Sequence, residues 1–326
     1  MKLQHRRQFL QLAAGAAVLP TTFGIASAQG YPSRPVRIVV GGAPGGQPDI
    51  TARLIGQWLS DRLGQPVIIE NRPSAGGNIA TEAVTRAPAD GHTLVHISAT
   101  GAISATLYEK LNYNLIRDIA PVASVNRIPL VLVVHPSFPA RTVPELLDYA
   151  RSNPGKINLA TPPKGTGPHL AAALFTMTTG VNLVQVPYRG DIEVMTDLFA
   201  GQVQAGFVGI APSIESIRTG KLRALAVTTA ERLEALSDIA TVGESVPGYE
   251  ASGWFGLGAP KNTSAEIIDK LNKEVNAGLA DPKITARLSD MVLPVFALSP
   301  SEFGKFIADE TEKWGKVIRA AGIKAD

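Results

Sequence analysis

The sequence predicts an α/β protein made of two doubly wound domains, and three observations carry that reading. Short β-branched runs alternate with helical patterns along most of the 326 residues. The chain is 45% hydrophobic and 18% charged, enough apolar material for a core in each of two domains. It contains no cysteine, which rules out a disulfide-stapled scaffold, thiolate metal sites and cysteine nucleophiles.

The elements follow in order. Val36-Arg37-Ile38-Val39-Val40 reads as a buried strand, followed by the Gly-rich run Gly41 to Gly46 and a helix from about Asp49 to Leu63. That helix would place Ile50, Leu54, Ile55, Trp58 and Leu59 on one face, and Gly64 would stop it. Strands at Val67 to Ile69 and Thr93 to Ile97, with a helix around Asn78 to Arg86 between them, complete a parallel sheet.

A second unit starts near Ile128. Its strands are Leu130 to Val134, Ile157 to Ala160, Leu183 to Val186, Ala205 to Val208 and Leu222 to Val227. Its helices are Val143 to Ala150, His169 to Thr178, Ile192 to Phe199 and Ser213 to Arg218. The last part is mostly helical, around Ala265 to Leu279, Ile284 to Leu288 and Ser301 to Ala321. One strand, Trp254 to Leu257, is too little for a third sheet, so this part is expected to cover the first domain. The expected organisation is a leader over 1–28, a first domain over 29–127 and 250–326, and a second over 128–249.

The leader has its own pattern. Lys2, Arg6 and Arg7 form a positive region, Phe9 to Leu19 an apolar one, and Ala26-Ser27-Ala28 a cleavage site, so processing near Ala28 is expected. Adjacent Arg6-Arg7 points to twin-arginine export, with an ordinary signal that holds two arginines as the alternative. Without these three basic residues the other 28 basic and 28 acidic residues balance. The mature chain therefore lacks the basic excess of a nucleic-acid binder. The expected location is the periplasm.

Two loops could carry chemistry. Gly42, Ala43, Pro44, Gly45 and Gly46 join a strand to a helix N-terminus, where free N–H groups and the helix dipole favour an anion. Two readings stand: a backbone cradle for a small carboxylate, or a tight turn whose glycines serve only the chain path. Gln47-Pro48 replaces the Lys-Ser/Thr of a P-loop, and Ala43 spoils a dinucleotide fingerprint, so no nucleotide cofactor is expected. Asp49 reads as an N-cap, or as an acceptor from an ammonium or a water. The second loop runs from Thr161 through Gly165, Thr166 and Gly167 to His169, which is either a ligand or a structural histidine. Tyr188-Arg189-Gly190-Asp191 follows a strand, and Asp191 either caps the next helix or faces the ligand.

Catalytic and metal patterns are missing. No Gly-x-Ser-x-Gly, Ser-x-x-Lys or His-Glu-x-x-His occurs, so neither an enzyme nor a metal site is expected. A periplasmic hydrolase using His169 and Asp191 remains the alternative from a different class.

Short segments in order along the chain resemble the Bug family, periplasmic solute-binding components of tripartite tricarboxylate transporters. They include Pro44-Gly45-Gly46 with Asp49, Leu63 to Pro73, Gly76-Gly77-Asn78-Ile79 and Ala89 to Leu94. Further on come Gly165-Thr166-Gly167 with His169-Leu170, Val186 to Gly190, Gly220 to Val227 and Pro247 to Glu250. The resemblance implies a flytrap of two α/β domains closing on a small organic carboxylate. It implies that the loops Gly41 to Asp49 and Thr161 to His169 pin the ligand, with Ser98 and Thr100 at a neighbouring strand end. It also implies a monomer that serves membrane permease subunits; a sensor kinase is the other partner class such a fold could address. The chain departs from the family at Gly41-Gly42, where Pro-Phe is usual, and at Asp191, where a small residue is more frequent.

Overall fold

A computed structural model describes residues 30–325. The leader read over residues 1–28, with its cleavage site, lies outside the described residues. The first sheet begins with strand β1 (Val36–Val40), helix α1 (Gln47–Leu63), β2 (Val67–Asn71), α2 (Asn78–Thr85), β3 (Thr93–Ser98), α3 (Ala99–Leu107), α4 (Leu115–Asp118) and β4 (Ile119–Ile128). The second sheet follows with β5 (Leu130–Val134), α5 (Val143–Ser152), β6 (Asn158–Thr161), α6 (Gly167–Thr179), β7 (Val184–Pro187), α7 (Asp191–Phe199), β8 (Ala205–Gly209), α8 (Ile210–Arg218) and β9 (Arg223–Val227). The chain then returns through β10 (Gly253–Pro260), α9 (Ala265–Leu279), α10 (Pro282–Asp290) and α11 (Pro300–Ala320).

The strand orders are β2-β1-β3-β10-β4 and β7-β6-β8-β5-β9. Both sheets are mixed rather than wholly parallel as the alternation suggested. β1, β2 and β3 run parallel, as do β6, β7 and β8, while β10 and β5 lie antiparallel to both their neighbours. The C-terminal strand joins the first sheet, β10 being inserted between β3 and β4. Crossing from one sheet to the other creates this pattern, because the strand entered after each crossing takes the fourth place.

Three elements were not legible, among them the four-residue α4. β4 contains Pro121, Asn126 and Arg127, which break an apolar run, and it is held by pairing with β10 across two register shifts. α3 is built of small residues with little amphipathic contrast. In α1 the buried face is carried by Ala52, Ile55, Gly56 and Leu59, while Ile50, Leu54 and Trp58 are only half-buried. Pro48 fits the first turn, where its missing N–H costs nothing, so the helix starts at Gln47.

Each sheet is covered on both faces. Val36, Ile38 and Val40 pack with Ala52, Ile55 and Leu59 of α1 and Leu271 and Val275 of α9. On the opposite face Val39, Val95 and Ile97 meet Ala80 and Val84 of α2 and Phe303 of α11. Close approach of α11 explains Gly256: a Cβ there would lie 2.3 Å from Phe303 Cζ and 2.7 Å from the Ala123 oxygen. The last turns of α11 leave this core. Trp314, Val317 and Ile318, with Ile103 and Leu107 of α3, join Leu170 and Phe175 of α6 in one apolar cluster. Among the described residues no helix is long and apolar enough to cross a membrane.

Candidate functional site

Three parallel strands of the first sheet end side by side, and each end leads towards a helix N-terminus. β1 enters Gly41 to Gly46 and then α1, β2 enters Arg72 to Gly77 and then α2, and β3 runs directly into α3. The unpaired N–H groups of all three helices therefore gather at one edge of the sheet, the place where ligands of open α/β sheets bind. A cavity of about 340 Å³ lies there, lined by Gly41, Gly42, Gln47, Ser74, Gly76, Gly77, Thr81, His96, Ser98 and Thr100, with Ile97, Ile128 and Phe255 among its apolar walls. Its described lining holds no acidic, Lys or Arg side chain. Backbone dipoles and neutral polar groups supply its electrostatics.

The loops are fixed from behind. The Asn71 amide donates to the Gly42 carbonyl (3.1 Å) and to Asp49 Oδ1 (2.9 Å), so the end of β2 ties the first loop to the first turn of α1. Gly45 N–H and Arg53 Nε both donate to Asp49 Oδ2 at 2.9 Å. The Arg53 hydrogen bond is the main reason that the Asp49 carboxyl titrates at about 2. Asp49 is neither the N-cap, which is Gly46, nor open to a ligand; it is buried and fully engaged in holding the loop. Gly41 and Gly77 touch backbone to backbone, since a Cβ on Gly41 would fall 2.4 Å from Gly77 Cα. Only glycine permits that approach of the first and second loops.

The second sheet repeats the arrangement with β6, β7 and β8 leading towards α6, α7 and α8. A cavity of about 440 Å³ lies at the ends of β6 and β7, lined by Thr161, Lys164, His169, Gln185, Tyr188 and Arg189 among others. Here cationic side chains are present. Gly165 N–H donates to His169 Nδ1 (3.4 Å), and burial, reinforced by Lys164, depresses the imidazole's pKa and keeps it neutral. Burial and a 2.6 Å hydrogen bond to Asp197 raise the Tyr188 hydroxyl to about 12.

The expected site residues divide into groups. Gly42, Ser98 and Thr100 line the first cavity, and Thr161, His169 and Tyr188 line the second. Ala43, Pro44 and Gly45 are exposed on the loop outside the first cavity's lining, with Gly46 behind them. Gly165, Thr166 and Gly167 line neither cavity; Thr166 Oγ1 donates back to the Pro163 carbonyl, and Gly165 abuts Leu107 of α3. Asp191 is the first residue of α7, exposed and without a capping bond, because Gly190 holds the N-cap position. Sequence reasoning missed Ser74, Gly76, Gly77, Thr81, His96 and Phe255. The pair Gly76-Gly77 before a helix was a readable signal, of the same kind as the first loop. His96 and Phe255 gave none, because they meet only through sheet pairing, with ring centroids 4.7 Å apart.

Residues 51–323 match the model of the tripartite tricarboxylate transporter family receptor. Protein BugT of Bordetella pertussis is 36% identical over 321 residues, covering 96% of this chain and 98% of that protein. Among solved structures, R. palustris Rpa4515 with adipate is 36% identical with a TM-score of 0.73, covering 90% of this chain and 99% of the other. MatC from Rhodopseudomonas palustris with bound malate is 31% identical with a TM-score of 0.69, covering 88% and 100%.

Proposed function

This chain belongs to the tripartite tricarboxylate transporter receptor family, whose members are solute-binding proteins, and from that premise we propose that it captures a small organic carboxylate between its two domains. The observation that carries the reading is the gathering of three helix N-termini around a cavity with no charged side chain in its described lining. A carboxylate has acceptors and negative charge to offer, and such a cavity presents N–H donors and the positive ends of helix dipoles. Adipate and malate, bound in two relatives of known structure, are both carboxylates of this size class.

In this mechanism the first domain binds one carboxylate group through backbone donors at Gly41, Gly42 and Gln47, at Gly76, and at Thr100 and Gly101. Asp49 and Asn71 keep the first of these loops in place without touching the ligand. The second domain, with Thr161, His169 and Tyr188, then closes over the far end, and Lys164 and Arg189 draw anions towards the cleft. Exported on its leader, the chain works in the periplasm and delivers the carboxylate to a membrane permease.

The test is thermal unfolding of the mature chain against a panel of small mono-, di- and hydroxycarboxylates, with X-ray scattering on any hit. A ligand at 100 times its Kd adds about 2.7 kcal/mol of stability. The expected outcome is a shifted midpoint, a smaller radius of gyration and an unchanged ligand. Chemical conversion of the ligand, or a panel without a single shift for protein freed of ligand by unfolding and refolding, overturns the proposal.

A further inference from the structure

Helix α3 starts in one domain and ends in the core of the other. Its N-cap Ser98, with Thr100 and Gly101, lines the first cavity. Nine residues carry it roughly 13 Å away from that cavity. Its second half, through Ile103 and Leu107, packs into the apolar cluster that holds Leu170 and Phe175 of α6. α11 braces it from behind, so closely that a Cβ on Gly315 would lie 2.9 Å from Thr106 Oγ1.

One loop from each domain leans on this helix. Gly76, in the loop between β2 and α2, has a φ of +65°, and a Cβ there would fall 2.5 Å from Ser104 Oγ. Gly165, in the loop between β6 and α6, has a φ of +77°, and a Cβ there would fall 2.4 Å from Leu107 Cδ2. The nearest neighbours of that position are all atoms of Leu107. Both approaches need a glycine, for the backbone conformation and for the space. Beyond Gly165 the chain turns through Thr166, the N-cap of α6, to His169 in the second cavity. Gly165 N–H donates to His169 Nδ1 (3.4 Å), so a displacement of Gly165 reaches the imidazole directly. Leu107 is buried and lines neither the first cavity nor the second.

We propose that α3 couples the two halves of the site, and that Leu107 is its positioning residue, the seat that fixes where the Gly165 loop stands relative to the first cavity. A dense contact of this kind transmits displacement because neither side can yield without opening a void. An anion held at the start of α3 fixes the helix, and the helix fixes the seat. The second loop is then left with fewer positions to search, and ordering it over the anion costs less. The seat itself rests on packing; its effect on affinity rests on the carboxylate-binding reading above.

The chain has no cysteine, so spin labels can be placed where they are wanted. Ile79 and Ile192 are exposed in the first turns of α2 and α7, one in each domain. Electron-resonance distances between labels at Ile79→Cys and Ile192→Cys in the ligand-free mature chain report how the domains stand to each other. Adding Leu107→Ala should broaden that distribution, and Leu107→Met, which refills the space, should narrow it again. Leu146→Ala empties a similar volume in the same apolar cluster from α5, and should lower the thermal midpoint as much while leaving the distribution unchanged. Leu107→Val is the milder variant, with an effect in the same direction, where the alanine form does not fold.

Calorimetric titration with adipate and with malate gives the second readout. For whichever acid binds the unaltered chain, Leu107→Ala should weaken binding about tenfold and Leu146→Ala less than about twofold. Gly165→Ala should also weaken it, yet the double variant Leu107→Ala/Gly165→Ala should bind better than the product of the two losses, because the added methyl fills the emptied seat. An unchanged distribution in Leu107→Ala, equal broadening in Leu146→Ala, or losses that simply multiply overturns the coupling while leaving carboxylate binding intact. A distribution that broadens as expected, in a chain that binds neither acid nor any other carboxylate, upholds the seat and overturns the carboxylate reading.

Discussion

The two domains share one plan and differ in what stands at the ends of their strands. Both sheets have three parallel strands leading to three helices, then an antiparallel fourth strand that follows a crossing from the other domain. In the first domain the strand ends form a cavity of backbone and neutral groups, braced from behind by a buried carboxylate. In the second they carry Lys164, Arg189 and an exposed Asp191. Equivalent topology thus yields one half built for tight fit and one built for attraction from solvent. Rigid donors hold a ligand at low entropic cost, while exposed charges act at longer range and are screened by salt.

Substitutions at one glycine from a strand-to-helix connection of each domain break this comparison most directly. Gly41→Ala drives a Cβ into the Gly77 backbone, and the strain of about 1–3 kcal/mol should lower the thermal midpoint by about 5 °C and abolish ligand binding. Gly167→Ala, at the helix start of the second domain, meets nothing within 4 Å and should leave the midpoint unchanged in the same scan. Equal effects would mean that the first loop is no more tightly built than the second.

The next contrast is between two acidic residues in first turns. Asp49→Ala orphans the Gly45 N–H and removes one of the two acceptors of the Asn71 amide, and should cost about 1–3 kcal/mol, with ligand affinity falling at least tenfold as the loop loosens. Asp191→Ala removes an exposed side chain and should stay within about 0.5 kcal/mol in denaturant titrations. A large loss of affinity in Asp191→Ala alone would transfer the binding role to the second domain.

Acidification sharpens the same point. The Asp49 carboxyl, ordinarily near 3.8, is held at about 2 in the folded chain. Its contribution to stability is full above the unfolded value and is lost as pH falls through the folded one, between about pH 4 and 2. Denaturant titrations over that range should show a shallower loss in Asp49→Asn than in the unaltered chain; parallel curves would remove Asp49 from the acid response. The smallest effect is expected from Arg189→Gln, less than about threefold in affinity near physiological salt and more at low salt, seen by stopped-flow as a slower association. An effect independent of salt would make Arg189 a direct ligand rather than an attractor.

What was legible and what was not follows from distance along the chain. Alternating strands and helices, the Gly-rich turn after β1 and the start of α6 depend on neighbours within a few residues, and local propensity exposes them. The repeat of strand, small-residue loop and apolar-faced helix at Val36 to Leu54 and Ile157 to Leu174 is local in the same sense, and the two segments occupy equivalent places in their sheets. β4 was missed because its pairing with β10, more than a hundred residues away, overrides a poor local pattern. The engagement of Asp49 depends on Asn71, which a separate strand brings beside it.

From the sequence by itself came the fold class, the balanced charge of residues 29–326, the family resemblance and the two loops. Only the tertiary structure decided which residues of those loops line a cavity, that Asp49 is buried and braces its loop, and that His96 and Phe255 share one wall. The physical reason is that a helix or turn is selected by contacts a few residues apart, whereas a binding cavity is where strand ends distant in sequence are forced together by sheet register and core packing.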